Sequence, residues 1–260
     1  MAKHGIGREN LNTYSNNLEI WRKTQICSYK QPMSIKVIAF DADDTLWVNE
    51  PYFQEIEKKF CVLLEDYLPQ HTTARELLKT EIDNLALYGY GIKGFMLSMI
   101  ETAMSVSQHT ISLDVIEKII GYGKDLLAHP IELLDGVDEV LQQLKGRYRL
   151  VVATKGDLLD QERKLKNSGI EHFFHHIEIM SDKKESDYQK LIRHLDVHPE
   201  EFLMIGNSLK SDILPVLNLG GHGFHIPYHT TWAHEHIDHT IEHENFRQVE
   251  HIKQVLIHLA

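Results

Sequence analysis

Short apolar runs recur along the chain, and polar residues follow the ends of several of them. The first run is Ile35 to Phe40, and later ones lead to Thr154, Met180 and Gly206. Runs of this length, rich in β-branched residues, are typical of strands buried on both faces of a parallel sheet. Helical spacing of apolar residues separates the later runs. The pattern therefore predicts an α/β fold built on a doubly wound parallel sheet.

Between the first two strands the pattern turns helical, from Pro51 to about His129. Apolar residues at helical spacing predict four helices in succession, over Phe53–Tyr67, Thr73–Leu87, Lys93–Ser105 and Leu113–His129. A block of about 80 residues is long enough for a small subdomain. We therefore predict an N-terminal extension (1–32), an α/β core domain (33–50 and 131–260) and an inserted small α-helical domain (51–130). Apolar residues from Phe246 to Leu259 predict a final amphipathic helix.

The composition of the chain indicates which kinds of binding partner to expect. The chain has 260 residues and a net charge of -11, whereas binding to a nucleic-acid backbone requires a basic face. No apolar run reaches the length of a membrane span, and residues 1–32 lack the apolar segment of a signal peptide. The two cysteines, Cys27 and Cys61, suggest no disulfide framework. We expect a cytoplasmic protein, monomeric or homodimeric, that binds neither nucleic acid nor membrane.

Three carboxylates follow the first strand within four positions. Asp41, Asp43 and Asp44 come directly after the apolar run. An Asx turn at the strand end would explain one of them. The cluster is unfavourable through repulsion and desolvation unless a cation or a shared proton offsets it. Because ligands of open α/β sheets bind at the carboxyl ends of strands, these residues indicate a divalent-metal or phosphoryl-transfer site.

Two later strands also end in polar residues. Thr154-Lys155-Gly156 combines a hydroxyl with a glycine turn, which can donate side-chain and backbone hydrogen bonds to a phosphate. Gly206 is followed by Asn207, and Asp212 lies at the start of the next helix. Their oxygens suit a hard cation such as Mg²⁺.

The Asp-Ala-Asp-Asp-Thr sequence at 41–45 resembles the first signature of the haloacid dehalogenase-like superfamily, in its phosphatase form. The resemblance implies that Asp41 is a nucleophile, that Asp43 is a general acid and base, and that Mg²⁺ is required. We expect Thr45 to hold Asp43. It also implies that the helical block is a cap, which closes over the active site and selects the substrate.

Later segments extend this resemblance. Thr154 matches the second signature, which assigns it to phosphate binding. A lysine after a strand is the third signature, and Lys183 fits it better than Lys184 because of its distance to Tyr188. The fourth signature, Gly-Asp-x-x-x-x-Asp, is matched with Asn207 in place of the first acid. We expect Mg²⁺ to be bound by Asp41, by the Asp43 backbone carbonyl, by Asp212 and by Asn207, the last without contributing charge.

Two further segments allow alternatives. The glycine-rich segment 88–94 fits a plain turn, or a loop in which Lys93 meets an anionic part of the substrate and Tyr90 stacks on a ring. His234, His236 and His239 suggest zinc, but cysteines are absent from the segment and the spacing is not the helical i, i+4 pair.

The function that the sequence predicts is Mg²⁺-dependent hydrolysis of a small-molecule phosphomonoester through an aspartyl phosphate. A phosphomutase remains an alternative, whereas Asp43 supplies an acid and base that a dehalogenase does not need. A receiver-type signalling domain uses similar strand-tip residues but would be about half this length and lack the helical block. A non-catalytic binding protein is the third alternative, because of Asn207.

Overall fold

The computed structural model describes residues 35–235, 237 and 240–259, so the predicted N-terminal extension lies outside the described residues. Six parallel strands form one sheet in the order β3-β2-β1-β4-β5-β6. The strands are β1 (Val37–Phe40), β2 (Arg149–Lys155), β3 (His176–Met180), β4 (Phe202–Gly206), β5 (His222–His225) and β6 (Phe246–Gln248). The α-helices are α1 (Glu50–Leu63), α2 (Gln70–Tyr88), α3 (Ile92–Val106), α4 (Leu113–Ala128), α5 (Val137–Leu144), α6 (Leu158–Ser168), α7 (Glu185–His194), α8 (Leu214–Asn218) and α9 (Val255–His258).

The central strand β1 is buried on both faces, as the sequence predicts. Val37 and Ala39 belong to one apolar cluster, which includes residues of α7 and α8. Ile38 and Phe40 belong to a second cluster, which includes residues of α5 and α9. Because successive side chains of a strand point to opposite faces, each face of the sheet is covered by its own set of helices. This confirms the predicted α/β class.

Helices α1 to α4 lie between β1 and β2, where the sequence predicts them. They share an apolar cluster of their own, in which Phe60, Leu77, Met99 and Ile119 are fully or almost fully buried. The assignment of these helices to a separate domain stays a prediction. Within the described residues, no helix combines the length and hydropathy that a bilayer span requires.

The predicted final helix over Phe246 to Leu259 is wrong in its first part. Phe246–Gln248 forms β6, and only Val255–His258 is α-helical, after a 3-10 turn at Ile252–Gln254. The free edge of β5 explains the difference, because its backbone groups need partners. Gly223 N–H donates to the Asn245 carbonyl at 3.0 Å, and Val249 N–H donates to the His225 carbonyl at 2.9 Å.

Candidate active site

Four strand ends meet at one edge of the sheet. Since the order β3-β2-β1-β4 is parallel, the carboxyl ends of these strands are neighbours. Asp41 directly follows β1, and its backbone N–H donates to the Ile205 carbonyl of β4 at 2.9 Å. Thr154 lies near the end of β2 and Asn207 directly follows β4. Lys183 lies three residues beyond β3, so every strand of the four contributes to the same edge.

Lys183 is the positive centre of this edge. Its ammonium donates to Asp41 Oδ1 and, at 2.7 Å, to Asp212 Oδ1, and its side chain is 1% exposed. Burial alone would lower the pKa of Lys183, but the carboxylates of Asp212 and Asp41 outweigh burial and raise it well above its usual value. Lys184 is exposed and pairs with Asp182 at 2.9 Å. The geometry therefore brings Lys183, and not Lys184, to the predicted nucleophile.

One ammonium between two buried carboxylates leaves a net negative charge, and burial raises the pKa of Asp41 to about 7. A cation at Asp41 would relieve this imbalance. Asp41 Oδ2 and Asn207 Oδ1 lie 3.1 and 3.3 Å from the Thr45 hydroxyl, so both oxygens lie on the same side of the cluster. The described residues contain no group of three or more His, Cys, Asp or Glu suited to a metal. The donor set is two carboxylates and an amide, and its charge and oxygen chemistry fit Mg²⁺.

Gly206 makes room for Asp212. A Cβ atom at position 206 would lie 2.2 Å from Asp212 Oδ2, so only glycine lets this carboxylate reach the end of β4. The backbone N–H of Ser208 donates to the same oxygen at 2.9 Å. The glycine of the predicted fourth signature is therefore required for a steric reason, because a side chain at position 206 would clash with Asp212. Asp212 is held at the strand end by the backbone as well as by Lys183.

Asp43 is held by three donors that the sequence does not predict. Trp47 Nε1 and Lys164 Nζ donate to its Oδ1 at 2.7 and 2.9 Å, and Gln161 Nε2 donates to its Oδ2 at 2.8 Å. Burial alone would raise the pKa of Asp43, but Lys164 and these hydrogen bonds outweigh burial and lower it. Asp43 is therefore ionised in this arrangement, the form in which it can accept a proton.

Asp44 and Thr45, two further polar residues of the loop after β1, make different contacts. Asp44 accepts backbone hydrogen bonds from Asn49 and Glu50 at 2.9 to 3.1 Å and so caps the start of α1. Its own φ of 60° makes the loop turn sharply. Thr45 donates to Asp41 and not to Asp43, at 3.1 Å, so its predicted contact is shifted by two residues.

The predicted phosphate turn lies beside this cluster. Thr154 is 2% exposed, and its hydroxyl makes a long 3.5 Å contact with the Lys155 carbonyl. Lys155 binds Ser211 at 2.9 Å and pairs with Glu235, and Gly156 N–H donates to the Met180 carbonyl at 3.4 Å. Thr154 and Lys155 line a cavity that lies at this edge of the sheet. Phosphate binding by Thr154, Lys155 and Gly156 stays a prediction.

Two further predictions concern the glycine-rich segment 88–94 and the histidines of the zinc alternative. Lys93 pairs with Asp157 at 2.9 Å and is half exposed, whereas Tyr90 lines the cavity. Contact of Lys93 with the substrate stays a prediction. His234 Nε2 lies 3.1 Å from Lys210 Nζ, while His236 and His239, the other histidines of the zinc alternative, lie outside the described residues.

Glu235 is a site residue that sequence analysis misses. It lies in the 3-10 turn Ala233–Glu235, is 9% exposed, and accepts hydrogen bonds from Ser208 and Ser211 at 2.5 Å as well as from Lys155. Burial alone would raise the pKa of Glu235, but Lys155 and the two serine hydroxyls outweigh burial and lower it to about 2. This carboxylate ties the segment after β5 to the ends of β2 and β4.

We expect Glu235→Gln to lower the free energy of unfolding by about 3 kcal/mol at pH 7, because the native pKa lies well below the ordinary 4.5. A depressed carboxyl pKa stabilises the fold above pH 4.5, and the gain is lost as pH falls towards 2. Urea unfolding between pH 7 and pH 3, compared with the exposed Glu244→Gln, checks this. A loss that stays the same at every pH would contradict it.

A cavity of about 190 Å³ connects the strand ends with helices α1 to α3. Its floor includes Asp41, Asp43, Lys183 and Asp212, together with Asn207. Its opposite wall comes from the helical block and from the segment that carries Trp232. A molecule held there would contact the carboxylate cluster at one end and the helices at the other.

The chain is similar to known proteins in sequence and in fold. A family model described as haloacid dehalogenase-like hydrolase matches residues 35–220. A haloacid dehalogenase-like family hydrolase from Xanthomonas campestris, known from its crystal structure, is 37% identical to this chain in sequence. The two structures superpose with a TM-score of 0.77, over 85% of this chain and 88% of that one.

Two curated relatives are glyceraldehyde 3-phosphate phosphatases. The one from Pyrococcus abyssi is 28% identical over 200 residues, which are 72% of this chain and 79% of the relative. The one from Methanopyrus kandleri is 23% identical over 185 residues, which are 69% of this chain and 78% of the relative.

Proposed function

The chain belongs to the haloacid dehalogenase-like hydrolases and is a phosphoric monoester hydrolase, and on this premise we propose that it hydrolyses a small-molecule phosphomonoester through an aspartyl phosphate on Asp41. The observation that carries the proposal is the position of Lys183, whose ammonium joins Asp41 and Asp212 at the end of the cavity. A carboxylate attacks a phosphate dianion only when negative charge is offset, and this lysine offsets part of it.

In the first step an oxygen of Asp41 attacks phosphorus in line with the ester oxygen. The new oxygen–phosphorus bond forms as the bond to the leaving alcohol breaks, and Asp43 gives a proton to the departing oxygen. Asp43 is ionised in the described structure, through Lys164 and its hydrogen bonds. A phosphate dianion beside it would raise its pKa by repulsion and favour uptake of the proton that the leaving group needs.

In the second step water attacks the aspartyl phosphate. Asp43, now ionised, accepts a proton from the water, and the bond between phosphorus and the Asp41 oxygen breaks. Inorganic phosphate leaves and the Asp41 carboxylate is restored. Thr154, which lines the cavity, would donate a hydrogen bond to the phosphoryl oxygens during both steps.

We propose that Mg²⁺ is held by Asp41, Asp212 and Asn207 and by the backbone carbonyl of Asp43. When bound there, it would screen the negative charge of the carboxylates and of the phosphoryl group. The proposal is supported by the surplus negative charge around Lys183 and by the facing oxygens of Asp41 and Asn207. Because Asn207 carries no charge, this site has one carboxylate fewer than the family signature provides.

Metal removal tests the proposed function. We expect phosphate release from para-nitrophenyl phosphate to fall at least about 100-fold after dialysis against EDTA and to return with added Mg²⁺. Circular dichroism before and after dialysis controls for unfolding. Hydrolysis at an unchanged rate in the chelated protein would contradict the metal proposal. A folded, Mg²⁺-loaded protein that releases no phosphate from any ester tested would contradict the proposed function.

A further inference from the structure

The cluster at the ends of β1 and β4 carries little negative charge for a site that binds a divalent cation. Asp41 and Asp212 contribute the carboxylates, and the ammonium of Lys183 donates to both of them. Asn207, which directly follows β4, contributes no charge. At about pH 8, above the pKa of about 7 to which burial raises Asp41, this carboxyl is ionised. The four residues together then keep a single formal negative charge.

The charged groups next to this cluster are already matched. Asp43 pairs with Lys164 at 2.9 Å, and Glu235 pairs with Lys155, so that each pair is neutral as a whole. Asp44 accepts backbone hydrogen bonds at the start of α1 instead of facing the cluster. The single negative charge around Lys183 is therefore what a bound ion would meet.

Mg²⁺ and a phosphate dianion offset each other at such a cluster. Mg²⁺ bound without phosphate would reverse the sign of the formal charge, and phosphate bound without Mg²⁺ would add to the negative charge. Both bound together would leave the formal charge unchanged. Because Asp41, Lys183 and Asp212 are buried, uncompensated charge there costs more than it would in water. Joint binding is therefore favoured over the binding of either ion by itself.

The side chain of Asn207 can serve both ions. The Thr45 hydroxyl lies 3.1 Å from Asp41 Oδ2 and 3.3 Å from Asn207 Oδ1, and its single hydrogen can be donated to only one of them at a time. These two oxygens therefore keep lone pairs for a cation. Among the described residues the Asn207 side chain is hydrogen-bonded only through Oδ1, and Asn207 lines the cavity. Its Nδ2 can donate to a phosphoryl oxygen, which a carboxylate at this position would repel.

We propose that Asn207 makes Mg²⁺ and the phosphoryl group bind as a pair, so that each binds the free protein weakly and strengthens the binding of the other. The inference rests on the proposed function, because the phosphoryl group must lie beside Asp41 to share the site. Aspartate in place of Asn207 would add a charge for the cation and remove the donor for the phosphate. The affinity of a site for a hard cation rises with the charge of its ligands, so this variant would bind Mg²⁺ without phosphate.

Isothermal titration calorimetry measures this coupling without catalysis. Mg²⁺ is titrated into the full chain after chelation, at about pH 8, with and without saturating inorganic phosphate, and blank titrations correct for complexes of Mg²⁺ with phosphate. We expect phosphate to lower the Kd of Mg²⁺ at least about 10-fold. Asn207→Asp should lower the Kd without phosphate at least about 10-fold and reduce the effect of phosphate to less than about threefold. Asn167→Asp, the same exchange at an exposed position of α6, should behave like the unaltered chain.

The outcomes separate this inference from the proposed function. If phosphate changes the Kd of Mg²⁺ by less than about twofold in the unaltered chain, the coupling is overturned, whether or not the variant folds. A folded Asn207→Asp protein that keeps the coupling of the unaltered chain would overturn the role of Asn207. In both cases, hydrolysis of para-nitrophenyl phosphate with Mg²⁺ shows that only the inference has failed. Absence of hydrolysis with every ester in a folded, Mg²⁺-loaded chain would overturn the proposed function together with the inference.

Discussion

Asp41→Asn is expected to lower kcat for para-nitrophenyl phosphate by about 10⁴-fold or more, because an amide cannot form the covalent intermediate. The same change removes one of the two carboxylates that neutralise Lys183, which is buried between them. Stopped assays over long incubation times at saturating substrate and Mg²⁺ measure the residual rate. We expect no burst of para-nitrophenol from this variant.

The control for Asp41→Asn must separate lost chemistry from lost structure. Asp138→Asn exchanges the same groups at an exposed position of α5 and should keep the full rate. Circular dichroism and urea unfolding show whether each variant is folded. A folded Asp41→Asn protein with a rate within tenfold of the unaltered chain would contradict the nucleophile assignment.

Asp43→Asn is expected to lower kcat by about 10²- to 10⁴-fold, the usual contribution of a general acid and base. The loss should be greater for alkyl phosphates than for para-nitrophenyl phosphate, since an alkoxide needs a proton to depart and a nitrophenolate needs it less. Steady-state rates for a series of esters with different leaving-group pKa values check this dependence.

Lys164→Met is the matched control for Asp43→Asn. It removes the 2.9 Å ion pair to Asp43 but leaves the carboxyl group in place. If Asp43 moves protons, this variant should be affected much less than Asp43→Asn and should show a weaker dependence on the leaving group. Equal losses in the two variants would indicate that Asp43 matters only as a partner of Lys164.

The strand ends were the most predictable part of the site. Apolar runs end at Asp41, Thr154 and Asn207, and a parallel sheet necessarily brings such ends to one edge. The sequence favours Lys183 over Lys184 only by its distance to Tyr188, because both lysines follow the same strand. The structure distinguishes them by burial: Lys183 lies between Asp41 and Asp212, whereas Lys184 is exposed.

Residues that reach the site from other elements could not be predicted in this way. Lys164 and Gln161 lie on α6, more than a hundred positions from Asp43, and bind it only because that helix packs beside the first loop. Glu235 comes from a polar, histidine-rich segment whose pattern predicts no structure. Strand β6 was missed because three residues give no clear periodicity and pair only where β5 offers a free edge.

The central claim is that the phosphoryl group passes through Asp41 before it reaches water. Each in-line displacement inverts the configuration at phosphorus, so the proposed two steps predict overall retention. The most direct measurement is hydrolysis of a phosphorothioate ester, made chiral with a heavy oxygen isotope, in water enriched in a third oxygen isotope, followed by analysis of the configuration of the released thiophosphate. Retention is the result that we expect. Inversion would show a single direct attack by water and would contradict the role of Asp41 as nucleophile.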